Sequence, residues 1–168
     1  MKITALFFGV FAGCLSCIPA HAADYLWNGG NGSWTDSGAW RLDDSSADWS
    51  NGNTAQFQTD SSITVGSGIS ASGMLYNGAA ITLNGGSLTL TGAAAGNNGG
   101  SATLSNTGLI LDAPNAEDSY EVRDTSLTGS ATLAKTGAGT VTLDGAHTAS
   151  GVWNINAGTL VFTGERNI

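Results

Sequence analysis

The chain has 168 residues, with 13 acidic side chains against five basic ones and a formal net charge of −8. That balance excludes nucleic acid and anionic membrane surfaces as natural partners, because phosphate recognition rests on lysine and arginine. Both cysteines, Cys14 and Cys17, lie near the start, so the rest of the chain offers neither a disulfide framework nor thiol chemistry.

Residues 1–22 have the three parts of a secretory signal. Lys2 is followed by the apolar run ITALFFGVFAG and then by small residues ending in Ala-His-Ala. We expect cleavage after Ala22, leaving Ala23 as the mature N-terminus. The apolar run is too short to span a bilayer as a helix, and no later run is apolar enough, so no membrane anchor is expected in the mature chain. Phe11-Ala12-Gly13-Cys14 also has the form of a lipoprotein box, which would leave a lipidated Cys14. The Ala-His-Ala site downstream favours ordinary cleavage over that route.

Residues 23–60 read as a Trp-rich N-terminal cap holding Trp27, Trp34, Trp40 and Trp49 and six acids. Two readings compete for the tryptophans. Trp27, Trp34 and Trp40 would make a platform for sugar rings if exposed, with Asn28, Asn31 and Asp36 bonding hydroxyls. Buried, they would plug the open end of a stacked fold, and an uncovered edge aggregates, which favours the plug. Asp43, Asp44, Asp48, Asn51 and Asn53 offer oxygen donors, but their spacing is not that of a calcium loop, and a solvated loop is expected with no metal. Thr35-Asp36-Ser37-Gly38 reads as a turn.

Residues 61–168 are a Gly/Thr/Ser/Ala lattice carrying paired triplets: ITL (81–83) with LTL (88–90), ATL (102–104) with LIL (109–111), ATL (131–133) with VTL (141–143), and WNI (153–155) with LVF (160–162). Each triplet is apolar at its first and third positions, the period of a strand with one buried face. Triplets recur after 21 residues (81 to 102, 88 to 109) or 22 (109 to 131, 131 to 153). Such a fixed period predicts a right-handed parallel β-helix, a solenoid of about four to five coils. An antiparallel sandwich also alternates short strands with glycine turns, but gives no reason for the fixed spacing. In this register Leu83, Leu104 and Leu133 stack, and Leu143, Trp153, Ile155, Leu160 and Phe162 face inward.

The segment ATLAKTGAGTVTLDGAHTASGVWNINAGTLVF resembles the autotransporter-associated β-strand repeat. Leu133, Lys135, Thr136, Gly137, Ala138, Gly139, Thr140, Leu143, Gly151, Ile155, Asn156, Ala157, Gly158, Thr159 and Leu160 occupy that family's pattern. YLWNGGNGSWTDSGAW is similar to the start of many such passengers. The resemblance implies a bacterial passenger domain carried across the outer membrane by a β-barrel translocator and displayed on, or released from, the surface of a Gram-negative cell. It implies adhesion or spacing, with a glycan or protein as contact. A cysteine-free mature chain fits export, since periplasmic oxidation cannot lock it. The solenoid rhythm is still running at TGERNI with no barrel sequence, so we expect the translocator to be a separate partner or the reading frame to be divided, and the terminal coil to fray or find a partner.

No enzyme, cofactor or metal site is expected. His147, Ser150 and Asp144 form a triad by composition only, since three residues this close on one turn seldom converge, and His147 reads as a turn residue. Paired carboxylates for sugar cleavage would be expected along an exposed strand face, where this lattice places Thr, Ser and Asn. The outward threonines Thr82, Thr89, Thr103, Thr132 and Thr142 do not form a consistent flat array.

Overall fold

The computed structural model describes residues 22–164. Most of the expected signal sequence, with the alternative lipoprotein-type Cys14, and the last four residues lie outside the described part. Alternation of apolar and polar residues gives short strands, and glycine and asparagine turns join them at sharp corners. The strands open with β1 (Asp24–Trp27), β2 (Gly32–Ser33), β3 (Trp40–Leu42), β4 (Ser45–Ala47) and β5 (Asn53–Phe57). Next come β6 (Ser61–Thr64), β7 (Ile69–Asn77), β8 (Ala80–Asn84), β9 (Ser87–Leu90), β10 (Ala94–Asn97), β11 (Ser101–Ser105) and β12 (Gly108–Asp112). The chain finishes through β13 (Ser119–Val122), β14 (Thr125–Thr128), β15 (Thr132–Thr136), β16 (Thr140–Leu143), β17 (Trp153–Ile155) and β18 (Thr159–Phe162). No helix occurs among the described residues.

These strands stack in parallel into three columns, making a β-solenoid of about five coils. One face runs β2, β6, β8, β11, β14. The second runs from the first half of β7 through β9, β12 and β15 to β17. The third takes β1, β5, the second half of β7, β10, β13, β16 and β18. Each coil therefore has three sides, and β7 turns one corner without a break.

Register puts like residues above one another. Ile63, Leu83, Leu104 and Leu127 form one inward ladder, and Leu88, Leu109, Leu133 and Trp153 form another. Leu83, Leu88, Leu104, Leu109, Leu127 and Leu133 are all buried. Burying each stabilises by about 1.5–3 kcal/mol, and because one coil orders some twenty residues for a few such side chains, no coil is stable until its neighbours cover it.

The register corrects the sequence reading in one respect. Leu133 stands over Leu109 rather than over Leu104, whose upper neighbour is Leu127. Counting 22 residues from Leu109 lands on Ala131, two short of the true partner, because the corner between β12 and β13 carries an insertion (113–118) and β14 supplies a side that the triplets do not announce. The outward threonines divide among the faces. Thr82 and Thr103 adjoin in the β8–β11 ladder with Ser62 and Ser126 in line, while Thr89 neighbours Ile110, Thr132 neighbours Gly108, and Thr142 neighbours Glu121.

The two ends differ. At the N-terminal end the hairpin β3–β4 pairs antiparallel with β1 and covers its edge. Asp43 (φ 49°) and Asp44 (φ 63°) are the two residues of its turn, both left-handed as a type I′ hairpin requires and as Asp tolerates. At the other end β17 and β18 are the last described strands. Of the residues expected to face inward, Leu143 is buried and Trp153 and Leu160 are half-buried, but Ile155 is 58% and Phe162 37% exposed. They sit in inward register over Lys135 and Leu143, yet no described residue lies above them.

Candidate functional site

The tryptophans meet in one cluster inside the first coil. Trp34 and Trp40 are wholly buried with ring centroids 4.9 Å apart, and Trp27 packs edge-on against Trp40 at 5.1 Å. Trp49 lies 5.2 Å from Trp34 and 4.7 Å from Trp40, and Phe57 completes the contact with the coil above. Such tilted and edge-to-face pairs each add roughly 0.5–1.5 kcal/mol beyond area burial. A sugar platform needs an exposed ring face, and Trp34 and Trp40 present none.

The polar residues of the cap are engaged with backbone. Asp36 Oδ2 accepts from Ser33 N at 2.8 Å. Asp48 Oδ1 accepts from Gly38 N at 2.8 Å and from Ser37 Oγ at 3.0 Å. Asn31 Oδ1 accepts from Ser62 N at 2.9 Å, and Asn28 Nδ2 reaches the Gly38 carbonyl at 3.5 Å. Asn51 imitates a strand: its Nδ2 donates to Gly68 O at 2.9 Å while its Oδ1 accepts from Ser70 N at 3.0 Å, satisfying the edge of β7 that would otherwise stand open. Asn53 Oδ1 accepts from Ala23 N at 2.8 Å. Among the described residues no group of His, Cys, Asp and Glu is arranged to hold a metal.

His147, Ser150 and Asp144 lie between β16 and β17, in the last described coil. His147 is buried, and its Nδ1 accepts the backbone N–H of Leu127 at 3.3 Å. Thr148 N donates to Leu127 O at 2.9 Å, so this loop takes the position a further strand would occupy beside β14. Ser150 Oγ donates to Gly129 O at 3.1 Å and Asp144 N to Val122 O at 2.8 Å. All three belong to contacts that dock one coil on the next.

The densest chemistry lies at the corner where β15 turns into β16. Lys135 is inward-facing and fully buried, a position that a cation occupies only if its charge is compensated. Its Nζ donates to the carbonyl oxygens of Thr136 and Gly137 in its own turn, the latter at 2.9 Å, and to that of Ala157 in the next coil at 3.4 Å. Three ammonium protons thus meet three carbonyls. Burial pulls the Lys135 ammonium below its ordinary value, and the nearby Asp112 carboxylate opposes that pull. Asp112 also accepts from Thr136 Oγ1 at 2.8 Å, tying this turn to the coil below.

Around that ammonium three corners stack backbone on backbone. Gly139 N donates to Ala113 O at 2.9 Å, and Thr159 N to Gly139 O at 3.1 Å. A Cβ on Gly137 would overlap the Ala113 carbonyl, and one on Gly158 would overlap that of Gly139. Both glycines also have positive φ, 71° and 67°. Thr-Gly-Ala-Gly and Asn-Ala-Gly are therefore two layers of one stack, and the sequence signal for it was a lysine at an inward position, a place the alternating pattern reserves for leucine.

Residues 133–162 match a family model described as passenger-associated-transport-repeat. Neither a curated protein nor a solved structure matches the chain.

Proposed function

We propose that this chain, whose residues 133–162 carry a passenger-associated-transport-repeat, is an exported, non-enzymatic passenger segment acting at the outer surface of a Gram-negative cell as a spacer or adhesive arm. Its partner in this reading is an outer-membrane β-barrel translocator. The observation that carries the reading is the Lys135 corner, since every residue type of the repeat motif there contributes to coil stacking. The lysine spans two turns, and the glycines let backbone lie on backbone.

Export is further supported at the N-terminal end. Ala23 N already donates to Asn53 Oδ1 at 2.8 Å, so cleavage after Ala22 would place the new ammonium on a waiting acceptor and strengthen the bond. Stacked coils also suit passage as an unfolded chain, because no coil is stable before the next arrives.

The test is surface display. The complete chain is expressed in a Gram-negative host with and without a β-barrel fused after Ile168, and intact cells are treated with protease. Barrel-dependent cleavage, with Ala23 found as the N-terminus, is the expected result. A chain that stays protected inside the cell with the barrel present would contradict the proposal. Displaying cells that bind surfaces or host glycans better than controls would mark an adhesive arm, and cells that do not would mark a spacer.

A further inference from the structure

Six Asn-Gly pairs occur in the chain, beginning at Asn28, Asn31, Asn51, Asn77, Asn84 and Asn98. An asparagine followed by glycine is open to an intramolecular reaction. The glycine nitrogen attacks the asparagine Cγ, ammonia leaves, and a five-membered succinimide forms. Water then opens the ring at one of its two carbonyls, giving aspartate or isoaspartate. The net change is one water in and one ammonia out, with no other reactant. Two features of a fold slow the step: a hydrogen bond that fixes the asparagine amide, and one that holds the glycine N–H.

Five of the six pairs are held. Asn51 is fixed through both side-chain atoms, and Gly52 N donates to Ser70 O at 3.0 Å. Asn77 Oδ1 accepts from Asn97 Nδ2 at 3.3 Å, and Gly78 N donates to Asn97 O at 2.8 Å. Asn84 Oδ1 accepts from Asn106 Nδ2 at 3.3 Å, and Gly85 N donates to Ser105 O at 3.4 Å. Asn31 is held by Ser62 N, with Gly32 inside a strand. Asn28 keeps its 3.5 Å contact with the Gly38 carbonyl.

Asn98 differs from all of these. It is exposed, and neither its side chain nor Gly99 N has a hydrogen bond among the described residues. It sits at φ 53° with Gly99 at φ 80°, in a two-residue turn closed by Gly100 N donating to Asn97 O at 3.0 Å. From these facts we propose that Asn98 is the site of spontaneous deamidation in the folded protein, a modification site at the corner between β10 and β11. Aspartate there adds one negative charge and keeps the turn, since Asp tolerates left-handed φ. Isoaspartate inserts a methylene into the main chain of a tight turn and loosens the pairing of β10 and β11 with their neighbours.

The experiment incubates the complete purified chain in mildly alkaline buffer, folded and in concentrated urea, and follows each Asn-Gly pair by peptide mass mapping. In the folded chain Asn98 is expected to convert about tenfold faster than any other pair, Asn28 included, because the others must first break their hydrogen bonds. In urea the six rates are expected to converge. Asn98→Asp, which tolerates the left-handed φ and has no amide to lose, should abolish the early mass gain. Another pair converting as fast as Asn98 in the folded chain, or an early mass gain surviving Asn98→Asp, would overturn the assignment.

Discussion

Lys135 Nζ and the carbonyl oxygen of Ala157 lie 3.4 Å apart across two successive coils. The lysine belongs to β15 and the carbonyl to the turn after β17, so one buried ammonium ties one coil's corner to that of the next. Replacing Lys135 by methionine keeps the apolar stem and strips the three carbonyls of their donor. Leaving such groups unsatisfied costs roughly 1–3 kcal/mol. We expect a lower urea midpoint for Lys135→Met and faster hydrogen exchange confined to residues 153–162. Unchanged exchange there would remove the lysine from its coil-joining role.

The glycines of the same corner give a second expectation. Gly158 and Gly52 both have positive φ, 67° and 82°, but a Cβ meets backbone oxygen at Gly158 and nothing within 4 Å at Gly52. Gly52→Ala should therefore cost only conformational strain, about 1 kcal/mol. Gly158→Ala adds an overlap that only a shift of the stacked turns relieves, and should cost at least twice as much. Equal losses in chemical denaturation would show that the turns are not stacked this closely.

A third concerns the ladders. Leu104 is buried between Leu83 and Leu127, so Leu104→Ala should destabilise by about 2–5 kcal/mol. Ile155, 58% exposed at the last described coil, should tolerate alanine with a change below about 1 kcal/mol. Calorimetric midpoints would separate the two, and a reversed order would contradict the exposure assigned to Ile155.

Alkaline pH gives a fourth. Burial pushes the phenols of Tyr76 and Tyr120 well above the ordinary tyrosine value of about 10. Tyr76 sits in the core with its hydroxyl 3.3 Å from Thr125 Oγ1, and Tyr120 donates to Leu90 O at 2.8 Å. A folded-state value above the unfolded one means the contribution is complete below about pH 10 and lost as pH rises beyond it. Stability should therefore fall above that pH, with phenolate absorbance from these two tyrosines appearing together with unfolding. Tyr76→Phe should flatten the fall, and a fall that is just as steep in the variant would count against this cause.

The solenoid was legible in the sequence because the sides built from β8, β9, β11, β12, β16, β17 and β18 show apolar residues at both inward positions, and β15 shows one in Leu133. The remaining sides were hidden by small or polar inward residues. Ser61 and Thr125 stand in line with Ile81 and Ala102, and their hydroxyls are satisfied locally by the carbonyls of Thr59 and Arg123. No aliphatic triplet marks those strands. The aromatic plug could be read from spacing and the need to cover an end. The roles of Asn51 and Asp48 could not, because a side chain that replaces a strand's hydrogen bonds looks, in sequence, like any solvated loop residue. Lys135 was visible as a motif member, but its burial follows only from register over Leu111.

The coil register itself is most directly tested by cysteine pairs, since the chain after residue 22 has no cysteine of its own. Thr82 with Thr103, and Thr142 with Val161, are direct neighbours in parallel ladders, and adjacent strands lie about 4.8 Å apart, within reach of a disulfide. Under mild oxidation both double variants, Thr82→Cys/Thr103→Cys and Thr142→Cys/Val161→Cys, should close an intramolecular bond in the folded chain, while Thr103→Cys/Thr132→Cys should stay reduced. Closure of the 103–132 pair, or failure of the other two, would contradict the three-sided solenoid described for this chain.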